Sequence, residues 1–137
     1  MATAPGDAQY RRLLEFRTGL RQFMRWSEQQ AVEAGITGPQ HQLLLAIRGH
    51  SGSKPPSIGE IANYLAERQH SVSGLVDRAA AAGLVRRVVD PDDRRFTRVA
   101  LTPRGRAKLE KLAALAVQEL KRFGPELRAI WRGLVED

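Results

Sequence analysis

Apolar residues at Tyr10, Leu13, Leu14, Phe16, Leu20, Phe23, Met24 and Trp26 recur at helical spacing between Gln9 and about Gly35. At about 100° per residue they cover an arc of about 240°, wider than the single stripe of a surface helix, so the pattern predicts a helix that buries two faces. In ITGPQHQLLLAIRGH, Thr37 and Gln40 stand at capping-box spacing, which predicts a helix over about residues 38–48 carrying Leu44, Leu45 and Ile47. GHSGSKPP breaks it. Ser57 and Glu60 form a second box before Ile58, Ile61, Ala62 and Leu65, a short amphipathic helix. A third, RQHSVSGLVDRAAAAG, sets Val72, Leu75, Val76 and Ala79 on one side and stops at Gly83. No Ser, Thr, Asp or Asn caps its start, so its first residue is open by a few positions.

The period then changes. LVRRVV and FTRVAL alternate as strands, with Val85, Arg87 and Val89 on one face of the first and Val99 and Leu101 inward on the second. Asp90-Pro91 opens the turn between them, because Asp bonds its own backbone and Pro presets φ. Thr102-Pro103 reads as a cap and first-turn proline. The helix after it carries Leu109, Leu112, Ala116, Leu120 and Phe123 and is expected to end at Gly124-Pro125, with a last helix bearing Leu127, Ile130, Trp131 and Leu134. The expected fold is mainly α with a small two-stranded antiparallel β wing (α+β): a winged helix-turn-helix between helical arms.

Charge sharpens this picture. Of the net +7, residues 65–106 supply 9 Lys and Arg against 5 Asp and Glu, more than half of the surplus. Such an excess suits a polyanion. Cysteine is absent, which excludes disulfides, thiolate metal sites and thiol switches. With no apolar run long enough for a signal peptide or membrane span, the expectation is a soluble cytoplasmic, nucleoid-associated protein with no membrane partner. A chain of 137 residues suits one functional unit.

The run LVDRAAAAGLVRRVVDPDDRRFTRVALTPRGR resembles the MarR family of bacterial and archaeal transcription regulators. Members typically show V-D-R-L on the recognition helix, G-L-V before the first wing strand, D-P-x-D-R-R at the wing tip and L-T-x-x-G after it. ITGPQHQLLLAI also looks like that family's second helix, and the resemblance extends more weakly into both arms. It implies a single domain over residues 1–137, with a winged helix-turn-helix DNA-binding module at 36–102 between dimerisation helices at 8–35 and 103–137. It also implies that one of Arg94 and Arg95 enters a minor groove while the other pairs with an acid, with Asp77 on the recognition helix as the candidate. Which arginine does which stays open.

The residue chemistry suits that role. A minor groove about 6 Å wide attracts a guanidinium, and neighbouring carboxylates hold an arginine extended. Arg94, Arg95 and Arg98 are the wing candidates for DNA, with Asp77 and Asp93 as orienting acids. On the recognition helix the exposed candidates are Arg68, Gln69, His70, Ser71, Ser73, Gly74 and Arg78. Gln bonds adenine bidentately, His and Ser donate to base or phosphate, and Gly74 permits close approach, while the arginines suit phosphates. His41, His50 and His70 lie on different elements without carboxylates at metal spacing, so no metal or other cofactor is expected. No phosphate loop or nucleophile motif points to an enzyme.

The wide apolar arc of the first helix and the stripes of the C-terminal helices imply a second copy, and a twofold dimer would read a near-palindromic site in double-stranded DNA. A repressor is expected over an activator, because blocking a promoter requires only occupancy. Family resemblance further implies a small aromatic or anionic effector between arms and module, with Phe23, Trp26 and His41 as candidate lining. The alternatives are another winged-helix regulator family, or a winged-helix protein-interaction module that binds no DNA.

Overall fold

The computed structural model describes residues 2–136. Its elements run α1 Asp7–Glu33, α2 Gly38–Gly49, α3 Ile58–Leu65, α4 Gln69–Ala81, β1 Val85–Val89, β2 Thr97–Leu101 and α5 Pro103–Val135. Both capping boxes form. Thr37 Oγ1 accepts from Gln40 N at 3.1 Å while Gln40 Oε1 accepts from Thr37 N at 3.0 Å. Ser57 and Glu60 repeat the exchange at 3.2 and 3.1 Å at the head of α3. Arg68 precedes α4 and makes no side-chain cap, which is why that boundary was open in the sequence.

Helices α2, α3 and α4 close around Leu43, Leu44, Ile61, Val72 and Val76, all at most 1% exposed. Leu84 and Val99 seal this core from the hairpin side. Strands β1 and β2 pair antiparallel, with Val85 opposite Leu101, Arg87 opposite Val99 and Val88 opposite Arg98. The outer edge of β2 is not left bare: Val99 N donates to Pro56 O at 2.9 Å and Ser57 bridges Arg98. The segment entering α3 thus acts as a third, very short strand. The alternation expected for β1 is met only at Val85, since Arg87 and Val89 are exposed; the hairpin rises off the core after one residue pair.

α5 begins against the hairpin root. Thr102 N and Oγ1 donate to Leu84 O at 3.1 Å and Gly83 O at 2.6 Å, and Thr102 Oγ1 accepts from Gly105 N. A Cβ on Gly105 would lie 2.0 Å from Leu84 O, so only glycine permits this approach. The helix then joins the core through Leu109 and Leu112 and continues along α1.

The break expected at Gly124-Pro125 does not occur: α5 is one helix of 33 residues with Pro125 inside it. Two physical reasons apply. Gly124 has no Cβ to clash with the proline ring, which removes part of the usual penalty on the residue before proline. Packing on α1 also continues across the site, since Phe123 meets Phe23 with ring centroids 5.7 Å apart and Trp131 meets Phe16 at 5.5 Å. No described helix is long and apolar enough to cross a membrane.

Candidate nucleic-acid interface

Helix α4 exposes Gln69, His70, Ser71, Asp77 and Arg78, with Ser73 and Gly74 half-buried, while Val72, Leu75, Val76 and Ala79 face the core. Arg68 is exposed just before the helix. All seven recognition-helix candidates therefore sit on or beside one solvent-facing strip. Gln69 leans over the first turn of α3, its Nε2 3.2 Å from where a Gly59 Cβ would sit.

The wing is fixed to this helix by a residue the sequence reading passed over. Arg87 Nη2 on β1 donates to Asp77 Oδ1 at 2.7 Å, to Ser73 Oγ at 3.3 Å and to Ser73 O at 3.4 Å. Asp77 thus pairs with Arg87 and with neither Arg94 nor Arg95. The wing tip lies beyond the reach of α4, whereas Arg87 is carried to it by the hairpin root. The signal was available: alternation places Arg87 on the side of Val85, which packs on α4.

At the tip, Asp93 and Arg95 form a local clamp. Arg95 Nε and Nη2 donate to the two Asp93 oxygens at 2.9 and 2.7 Å, and Arg95 N donates to Oδ1 at 3.1 Å. The Arg95 guanidinium beside it holds the Asp93 carboxyl below its ordinary range, helped by that backbone amide. The Arg95 side chain remains 86% exposed, so the carboxylate fixes its direction without covering it. Arg94 is exposed.

Arg98 does not belong to this exposed set. Its side chain is only 18% exposed, and it donates from Nε to Asp90 Oδ2 at 2.8 Å and from Nη1 to Pro55 O at 2.8 Å, with Glu60 Oε1 at 3.4 Å. Cross-strand from Val88, it faces the segment entering α3, which turns it inward and makes it a strut. Asp90, 3% exposed, also meets Lys54 Nζ at 3.3 Å, and Lys54 bonds Asp92 as well. The Asp92 amide, then Arg98 and Lys54, hold the Asp90 carboxyl down at about 2. This strut joins the wing root to the approach to α3, and no motif in the sequence marked it.

The aromatic candidates separate. Phe23 and Trp26 line a groove between α1 and α5, whereas His41 lines a cavity of about 580 Å³ with Met24 and Glu28 of α1, Tyr64 of α3 and Ser71 and Arg78 of α4. Phe23 and Trp26 stack on each other at 5.8 Å and pack toward Phe123, because their turn of α1 faces α5 rather than α2. Burial pushes the His41 imidazole down, and its Nδ1 lacks a partner among the described residues. His50 is bonded to Tyr64 Oη at 2.7 Å and lies 3.4 Å from Glu60. Among the described residues, no three His, Cys, Asp or Glu gather in a way that could hold a metal.

Residues 34–95 match the pattern of the MarR family. The chain is 36% identical over 91 residues, 66% of its length and 56% of the relative's, to "HTH-type transcriptional repressor NicR" of Pseudomonas putida. It is also 36% identical over 85 residues, 61% of its length and 49% of the relative's, to "Transcriptional activatory protein BadR" of Rhodopseudomonas palustris. The chain therefore spans about half the length of the curated relatives it matches. A solved structure of an S. aureus MepR variant bound to an oligodeoxyribonucleotide has the same fold, at TM-score 0.67 and 21% identity over 82% of this chain and 80% of that one. The matched segment, the named relatives and the winged fold agree: residues 34–95 match the MarR family, and the chain has the winged fold of that family's solved structures.

Proposed function

We propose that this chain is a sequence-specific double-stranded-DNA-binding transcription regulator that works as a homodimer and represses. One observation carries the reading: an exposed arginine, Arg95, aimed by Asp93, stands at the tip of a wing that Arg87 and Asp77 lock to the exposed strip of α4. An arginine pre-oriented by a carboxylate loses little freedom on entering a narrow minor groove, and a helix fixed beside it enters the adjacent major groove. Arg95 is assigned to the minor groove and Arg94 to the flanking phosphates. Gln69, His70, Ser71 and Ser73 are assigned to base edges, with Arg68 and Arg78 on backbone.

The arms supply the pairing surface. Tyr10, Leu13, Leu14, Leu20, Val117, Leu120, Trp131 and Val135 are each at least 42% exposed in the single chain, an apolar excess that a second copy would cover. Of the two curated relatives, one is named a repressor and the other an activatory protein; occupancy alone suffices for repression, and that sign is proposed here. The cavity around His41 lies between α1 and the DNA-facing helices, and Arg78 on its rim supplies a cation for an aromatic or anionic effector. Occupancy there would bias the position of α4 relative to the arms.

Selection of bound duplexes from a random pool tests the reading. A symmetric motif with half-sites about one helical turn apart is expected, with affinity falling as salt rises at a log-log slope near −0.9 per neutralised phosphate. Enrichment of no sequence, together with no duplex binding at low ionic strength, would end it; a tight, salt-insensitive protein complex would point to an interaction module instead.

A further inference from the structure

A second basic surface lies on the other side of the hairpin. Arg86 and Ala100 are cross-strand partners on the face opposite Arg87, turned away from α4. There they line a cleft of about 490 Å³ with Arg48 at the end of α2, Lys54, and Arg106 in the first turns of α5. Its lining includes four Lys or Arg and no Asp or Glu. Lys54 is already engaged by Asp90 and Asp92. Arg48, Arg86 and Arg106 are all exposed, and none has an ionic partner among the described residues. Ile47, buried Pro56 and Leu101 also contribute to its lining.

Three unpaired guanidiniums around one concavity repel one another, and the chain offers no carboxylate there to relieve them. An anion with several oxygens relieves all three at once, and guanidinium is the side chain best matched to phosphate geometry. The volume falls within the range of small-molecule sites. We infer that this cleft binds a phosphorylated small molecule through Arg48, Arg86 and Arg106. The assignment does not depend on the DNA reading, because the cleft shares no residue with the exposed strip of α4 or with the wing tip.

Inorganic tripolyphosphate is the probe, titrated calorimetrically into the full chain at fixed ionic strength. Two variants of equal charge loss are compared with the parent: Arg48→Gln/Arg86→Gln/Arg106→Gln, and Lys111→Gln/Lys121→Gln/Arg128→Gln on exposed positions of α5. All six positions are exposed, so both variants should keep the parent's circular dichroism and melting temperature. Saturable binding near one per chain, weakened at least about tenfold in the cleft variant and little changed in the other, supports the site. Absence of saturable binding, or equal weakening in both variants, overturns it by reducing the effect to general charge. A cleft variant that keeps tripolyphosphate binding but loses duplex affinity, with a salt slope smaller by about three, also overturns it and reassigns the arginines to flanking DNA.

Discussion

Replacing Gly105 by alanine tests the joint between wing and arm. The added Cβ would sit 2.0 Å from Leu84 O and 2.9 Å from Leu84 C, against backbone that cannot rotate away. Ordinary carbon-to-oxygen contact begins near 3.3 Å, so α5 or the Leu84 turn must retreat by about 1.3 Å. Leu84 is fully buried, and its carbonyl accepts from Thr102 N, so retreat costs packing and a hydrogen bond together. Overpacking of this kind costs about 1–3 kcal/mol and the bond about 1. Against that, alanine gains about 1 kcal/mol of helix propensity. The net is a loss of about 1–3 kcal/mol, which for a domain of this size lowers the melting temperature by about 4–12 °C. Thermal unfolding followed at 222 nm reads it directly. Gly49→Ala at the end of α2, where an added Cβ meets nothing within 4 Å, should move the other way by about 0.5–1 kcal/mol. If Gly105→Ala melts within about 2 °C of the parent, or above it, the close-approach argument is wrong.

Further tests separate stability from binding. Ala66, between α3 and α4, has φ 53°, a left-handed conformation that costs a non-glycine residue about 1–2 kcal/mol. Ala66→Gly should therefore stabilise by about 0.5–1 kcal/mol net of glycine's entropy, and a less stable variant in chemical denaturation would count against it. Asp90 is depressed from 3.8 to about 2, so its contribution is complete above about pH 4 and is lost as pH falls through 2. Asp90→Asn should flatten the dependence of stability on pH across that window; an unchanged acid limb would show that the Arg98 and Lys54 contacts contribute nothing. Arg87→Ala and Asp77→Asn should each change stability by less than about 1 kcal/mol, since the pair is substantially exposed. Both should weaken DNA binding by similar factors without adding in the double variant, and full additivity would deny that the pair aligns the wing.

Local rules made much of this fold legible. The Thr37/Gln40 and Ser57/Glu60 boxes, the change of period at Leu84 and the Thr102-Pro103 start each depend on neighbours within four residues, and each appears as read. What misled was a local rule overridden at a distance: Gly124-Pro125 reads as a stop, yet α1 alongside keeps α5 helical. The site was half legible for a related reason. Asp93 and Arg95 are two residues apart, and their clamp follows from proximity. The partners of Asp77 and Arg98 are chosen by strand register, which no pairwise spacing states. Arg98 looked like one more exposed charge until its opposition to Val88 placed it over the segment entering α3.

Continuity of α5 through Pro125 makes the arm a single rod of 33 residues, about 50 Å long, anchored to the hairpin root by Gly105. Such a rod works as a lever: swinging its far end by about 3° against a fixed neighbour sweeps the near end through roughly 2–3 Å. That sweep is comparable to a hydrogen-bond length, so a tilt too small to disturb the arms would suffice to lift the wing off the minor groove proposed for it.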